Sequence, residues 1–173
     1  AINSVTQYWV RLKVSADVTA TMKIAAINIL LSDDEDLKRY HPHILSMLPR
    51  DENDVVEASF IRAHSAGRDL VLQELAKGGI AKADVTDGHL EPLNGWDVHD
   101  VNQVKTSATF ATLSVIYFDA SDTQDDQYSQ KASFYRSEYK SALDGVIIDL
   151  DLNDDGFTDT SEQGNSFGTT LTR

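Results

Sequence analysis

The amino-acid sequence predicts a mainly α protein: a small three-helix bundle with an N-terminal β-hairpin arm and an extended C-terminal tail. Three apolar stripes at helical spacing carry the bundle. They are Val56, Phe60, Ala63, Gly67 and Leu70; Val101, Val104, Ala108, Ala111, Val115 and Phe118; and Tyr128, Ala132, Tyr135, Tyr139, Ala142 and Val146. Period-two alternation ahead of residue 31 carries the arm, and a run rich in Asp, Asn, Gly, Ser and Thr after residue 148 carries the tail. With 173 residues the chain has the length of one domain, divided into an arm and short helical connector (1–50), a helical core (51–148) and an acidic segment with tail (149–173).

In the arm, Tyr8, Val10, Leu12 and Val14 alternate with Trp9, Arg11 and Lys13. Beyond a turn at Ser15-Ala16-Asp17, Val18, Ala20, Met22 and Ile24 alternate with Thr19, Thr21 and Lys23. The competing reading makes 22–31 a short buried helix. A lone hairpin is marginal in water, so the arm is expected to pack on something, a neighbouring subunit included. Asp33-Asp34-Glu35-Asp36 followed by Lys38 and Arg39 suits a short helix, acidic at its start and basic at its end, stopped by Pro42. Ile44, Leu45, Met47 and Leu48 form a packed connector up to Pro49.

The first long helix is expected over 52–77, capped by Asp51 or Asp54 with Glu57 three residues beyond, and closed by Lys77-Gly78-Gly79-Ile80. Residues 81–97, with Gly88, Pro92 and Gly95, read as a long loop. A second helix follows from Asp97 to Phe118. Phe110, Leu113 and Tyr117 widen its apolar face, so it is expected to be the most buried. A polar joint at 120–126 leads to the third helix, Tyr128 to Ile148.

Acidic residues outnumber basic ones 28 to 15, a net charge of −13, which argues against a groove for nucleic-acid phosphates and against a polybasic membrane surface. The absence of cysteine removes disulfides, thiol catalysis and thiolate metal sites. No apolar run reaches the roughly 18 residues of a spanning helix, and Ala1 to Val10 lacks a signal-peptide pattern. The expectation is a soluble protein that stays where it is made.

The most specific motif is Asp151-Leu152-Asn153-Asp154-Asp155-Gly156-Phe157-Thr158-Asp159-Thr160-Ser161-Glu162, which has the spacing of a twelve-residue calcium loop. Asp151, Asn153 and Asp155 would offer side-chain oxygens, Phe157 its carbonyl, Asp159 a water, and Glu162 a bidentate carboxylate. Thr158 stands where a paired loop has an aliphatic residue, and Gln163 to Gly168 is no exiting helix. The segment is therefore either a lone ion-ordered loop or an acidic, solvated lead into the tail. His41 and His43 around Pro42, with Asp97, His99 and Asp100, could ligate zinc or iron if the fold joins them; otherwise they are surface or capping residues. His64-Ser65 has no nucleophile elbow. Gly78-Gly79 ends a helix instead of opening one, so it cradles no phosphate. Tyr128, Tyr135 and Tyr139 could stack bases, but helical spacing and the negative charge favour core and interface. No enzyme is expected and no cofactor is required; calcium is the one candidate ligand.

The order of parts over 51–173 resembles the head–tail connector (adaptor, or head-completion) proteins of tailed bacteriophages. The resemblance rests on the first helix closed by Lys77-Gly78-Gly79-Ile80, the long loop, and the apolar second helix Phe110-Ala111-Thr112-Leu113-Ser114-Val115-Ile116-Tyr117. The third helix with Tyr135, Tyr139 and Leu143, the run from Asp149 to Gly156, and the Gly/Ser/Thr tail to Arg173 complete it. The first 50 residues are longer and more strand-like than a minimal connector needs. The resemblance implies a virion protein of the viral neck, made in the host cytoplasm, that assembles as a ring of about twelve copies. It would bind the portal on one side and a tail-side stopper or terminator protein on the other. DNA would pass through its channel without specific binding. The alternative is a calcium-stabilised protein-binding module with a single EF-hand-like loop.

Overall fold

The computed structural model describes residues 29–50, 52–80, 82–83, 90–121, 127–151, 160 and 163–166. The chain is mainly helical. Helix α1 (Asp34–Tyr40) and a 3-10 turn (Ile44–Met47) precede α2 (Ile61–Lys77), the strands β1 (Lys82–Ala83) and β2 (Leu90–Glu91), and a 3-10 turn at Val101–Gln103. Helices α3 (Lys105–Asp119) and α4 (Gln127–Leu143) follow, then β3 (Ile147–Ile148) and β4 (Asn165–Ser166). Both strand pairs are antiparallel: Lys82 faces Glu91, and Ile147 faces Ser166.

Helix α3 is the centre of the molecule, running antiparallel between α2 and α4. Its N-terminal half, with Val104 just before it, contributes Ala108 and Ala111 to a core with Val71, Leu72, Leu75, Tyr139, Leu143, Ile148 and Leu150. Its C-terminal half contributes Leu113, Ile116 and Tyr117 to a second core with Leu37, Ile44, Phe60, Ala132 and Tyr135. The buried hydroxyls of Thr109, Thr112 and Ser114 donate back to the carbonyls of Lys105, Ala108 and Ala111 at 2.8, 2.8 and 2.7 Å. Such back-bonding lets a helix bury polar residues without orphaned groups. The expectation that this helix is the most enclosed is met, although Phe118, placed on its core stripe, is 70% exposed.

The predicted short helix is α1. Asp33 caps it through the Asp36 N–H, and Asp36 returns a bond to the Asp33 N–H, a complete capping box. Buried Asp36 is met by Lys105 Nζ at 3.1 Å, which joins α1 to the start of α3. Helix α2 begins at Ile61, not near residue 52. Residues 52–54 turn inside the loop that the Arg50–Val56 bridge closes, residues 58–59 bend beyond it, and Asp54 has φ +62°. Val56 is consequently exposed instead of leading the core stripe, which runs through Ala63, Gly67, Val71 and Leu75. Asp54 does not cap the helix and Asp51 lies outside the described residues; Asp34 Oδ1, from α1, accepts from the Phe60 N–H at 3.3 Å.

The predicted stop of α2 is present as a Schellman motif: the Gly79 N–H donates to Ala76 O, the Ile80 N–H to Leu75 O, and Gly79 has φ +88°. Inside the expected loop 81–97, β1 and β2 pair. The second helix starts later than Asp97, through the 3-10 turn capped by Asp100. The third ends at Leu143, not Ile148, because Gly145 (φ +78°) turns the chain into β3. Of the arm, residues 1–28 lie outside the described residues, and 29–31 are irregular, with Leu31 buried in the core. Of the tail, 167–173 lie outside them, and its start pairs with β3. Among the described residues no helix is long and apolar enough to cross a membrane.

Candidate functional site

A chain of side chains joins the segment before α1 to α2 and α3. His64, 1% exposed, shares a 3.0 Å hydrogen bond between Nε2 and Asp34 Oδ1. A carboxylate only accepts, so Nε2 carries the proton; Nδ1 shares a second hydrogen bond with Ser32 Oγ at 2.9 Å. Ser32 Oγ lies 3.3 Å from Thr112 Oγ1 on α3. Serine, histidine and carboxylate are the members of a nucleophilic triad, but Ser32 is buried, and a nucleophile needs a face open to substrate. What this arrangement does is clamp. One Asp34 oxygen holds both the α2 backbone and His64, while Ser32 ties the incoming chain to the crossing of α2 with α3.

Thr112 stands at that crossing because Gly67 allows it. A Cβ on Gly67 would lie 2.4 Å from Thr112 Oγ1 and 2.8 Å from Thr112 N. His64 and its partners were not legible as a group, since 30 or more residues separate them.

The tyrosines predicted as core form a packed stack. Tyr117 is stacked on both Tyr128 and Tyr135, at centroid distances of 6.1 and 5.8 Å, with Lys131 Nζ over its ring. Tyr135 and Tyr139 are buried, whereas Ala142 and Val146 are half-buried. His41 fits edge-on against Tyr117 and Tyr135 and shares a hydrogen bond with the Tyr135 hydroxyl. Burial, then the positive charge of Lys131, holds the His41 pKa below its ordinary value. Burial, with the neighbouring tyrosines, pushes Tyr117 up to about 12.

His41 is thus a packing residue, and His43 is exposed beside the 3-10 turn. Asp97 is buried, with Oδ2 accepting from the Asn94 N–H at 2.7 Å. His99 is half-buried and donates its backbone N–H to Asp149 O. Among the described residues no three histidine or carboxylate side chains gather where an ion could be held.

Of the calcium-loop residues, Asp151 is described; Asn153, Asp155, Phe157, Asp159 and Glu162 lie outside the described residues. The base of that loop is well defined. Asp151 N–H donates to Asp97 O at 2.8 Å, and the Gly164 N–H donates to Asp149 Oδ1 at 2.9 Å. Gln103 clasps Asp149 twice, Nε2 to Oδ2 at 3.0 Å and the Asp149 N–H to Oε1 at 2.8 Å. With β3 paired to β4, residues 149 and 164 are held together, so the chain between them closes on itself. Hydrogen bonds from the Gly164 backbone and the Gln103 side chain outweigh burial and lower the Asp149 pKa, with a further contribution from His99.

No family model, no curated protein and no solved structure matches this chain.

Proposed function

We propose that this chain is a structural virion protein, a head–tail connector that forms a ring between portal and tail and performs no catalysis. What carries the reading is the order of parts. A Schellman-stopped first helix leads through a loop to a deeply buried central helix, then to a third helix and a closed acidic loop. The surface supports it as well. Large apolar side chains stand in solvent at one end of the bundle, where α2 begins and α3 ends: Val55, Val56, Ile61 and Phe118. Surface of that kind marks contact with other chains more often than substrate chemistry. The net charge of −13 suits a conduit that lets DNA slide without sticking. The arm and tail would reach neighbouring subunits, the portal or a tail-side stopper protein, and the site of action would be the virion neck.

A specific observation favours a second reading, a calcium-stabilised binding module. The base of the loop is drawn together by Asp149, Gly164 and Gln103, as an ion loop requires at its ends. Asp151, Asn153, Asp155, Phe157, Asp159 and Glu162 would then supply the oxygens. Native mass measurement of the full chain separates the two. A discrete ring of about twelve copies, or capture by a portal ring, supports the connector. A stable monomer whose melting temperature rises with calcium supports the module.

A further inference from the structure

The segment that leads into α1 runs along α2, and its path has a direction. Asp34 Oδ1 meets the Phe60 N–H and His64 Nε2, Ser32 Oγ meets His64 Nδ1, and Ile29 O accepts from Arg68 Nη1 at 3.3 Å. Each step back along the chain is a step forward along α2, so the segment runs antiparallel to the helix. Gly95 borders it on the other side. A Cβ there would lie 2.9 Å from Ile29 O and 3.1 Å from Ile29 Cβ, so the chain passes between α2 and the segment that holds Gly95. Leu31 belongs to the same buried core as Leu72 and Leu93.

The seam continues beyond Ile29. Asp69, Leu72, Gln73 and Ala76 of α2, with Pro92 and Leu93 opposite, line a groove of about 210 Å³. It starts next to Arg68, extends toward the C-terminus of α2, and shares Leu72 and Leu93 with the core that already holds Leu31. Asp69, the charged residue among those lining it, is paired with Arg68 at 2.6 Å, so apolar fit and not charge selects what lies there.

From Arg68 to Ala76 the helix rises about 12 Å, a distance that about four extended residues span. The residues just ahead of Ile29 are Ile24-Ala25-Ala26-Ile27-Asn28, apolar except for the last. We infer that this stretch continues the antiparallel path and fills the groove between α2 and Pro92–Leu93 of its own chain. Direction, length and apolar character all select it. A tether this short also keeps the stretch at an effective concentration that a second copy in dilute solution does not reach. Residues 1–23 then leave the molecule toward the Lys77 end of α2, away from Ile61 at its start. The inference goes beyond the ring reading and does not depend on it.

The chain has no cysteine, so disulfide trapping in the full chain tests this directly. Ala76→Cys is combined in turn with Ala25→Cys, Ala26→Cys and Ile27→Cys and oxidised mildly in dilute solution. Neighbouring extended residues are about 3.3 Å apart, so at least one of the three should come within the roughly 7 Å between Cα atoms that a disulfide spans. The expected result is a crosslink inside a single chain, read by intact mass and by migration without reductant. The same three cysteines paired with Ser133→Cys, on α4, should stay reduced. A second readout needs no crosslink: Ala76→Glu fills the groove from an exposed position, and trypsin should then cut after Lys23 several-fold faster than in the wild type, with helicity unchanged. Disulfides that form only between chains, none from any of the three positions, equal trapping by Ser133→Cys, or equal cleavage rates overturn the inference. A crosslink inside one chain supports it whether the wild type sediments as a monomer or a ring, so the two readings fail separately.

Discussion

Gly67 and Thr112 touch where α2 crosses α3, so closely that a methyl group on Gly67 would lie 2.4 Å from the threonine hydroxyl and 2.8 Å from its backbone nitrogen. The neighbour on one side is backbone, which cannot rotate away. Gly67→Ala should therefore push the helices apart, at a cost of about 1–3 kcal/mol for overpacking. The gain of about 1 kcal/mol in helix propensity offsets part of that. The net effect is a lower melting temperature, by roughly 2–4 °C per kcal/mol in a chain of this size. A variant as stable as the wild type would show that the crossing is looser than its geometry.

The clamp around His64 gives a second expectation, with an internal control. His64→Ala takes the Nδ1 partner from buried Ser32, which keeps only Thr112 Oγ1 at 3.3 Å, and removes one of two donors from Asp34. Each orphaned buried group costs about 1–3 kcal/mol, so urea denaturation should show a loss of that order or more. Asp34→Asn keeps an oxygen to accept from the Phe60 N–H and from His64 Nε2, and should cost far less than Asp34→Leu. Equal losses for the two Asp34 variants would mean that shape, not the hydrogen bonds, holds α1 to α2.

His41 should titrate below the ordinary histidine range, first because it is buried against Tyr117 and Tyr135 and second because Lys131 is near. A histidine whose folded pKa is depressed binds its proton more readily when unfolded. Its contribution is fully present above about 6.5 and is lost as pH falls from there through the folded value. Following the His41 ring protons by NMR measures this directly. Lys131→Gln should raise the midpoint; an unchanged midpoint assigns the whole effect to burial.

How far the fold was legible depends on where each element's partners sit. Helix α1 and the end of α2 were readable because their signals are local: Asp33 with Asp36 at one, Gly79 with Ile80 at the other. The start of α2 was not, since the amide of Phe60, just before its first residue, finds its acceptor in Asp34, 26 residues earlier. The same non-locality hid the Ser32–His64–Asp34 chain: Asp34 reads as the acidic start of a short helix, His64 with Ser65 as a pair without a nucleophile elbow, and nothing local singles out Ser32. The third stripe was sound through Tyr139. It overran because apolar Val146 continues the spacing past Gly145, where the backbone has already turned. The calcium loop remains legible as spacing, with only its first ligand, Asp151, among the described residues.

The clasp at Asp149 carries the last prediction. The Gly164 amide and the Gln103 side chain both stabilise the ionised carboxylate and hold its pKa below the usual aspartate range. With a depressed folded pKa, the contribution is complete above the unfolded value of about 3.9 and is lost as pH falls through the folded one. Amide exchange at Gly164 should therefore quicken only below that range. Asp149→Ala should bring the same opening at neutral pH, because the donors at Gly164 and Gln103 lose their acceptor. The clasp also bears on the ion. If Asp151, Asn153, Asp155 and Glu162 hold calcium, closing their loop in advance lowers the entropy that binding must overcome. Calcium should then raise the wild-type melting temperature at concentrations around its affinity, ~10⁻⁴–10⁻³ M for a lone loop of this kind. Asp151→Ala with Asp155→Ala should abolish that rise, whereas Asp149→Ala should keep it but move it to higher calcium. A rise of the same size and midpoint in all three proteins would place the ion elsewhere. No rise in the wild type would leave the segment as an acidic loop held shut by the Asp149 clasp and the β3–β4 pairing.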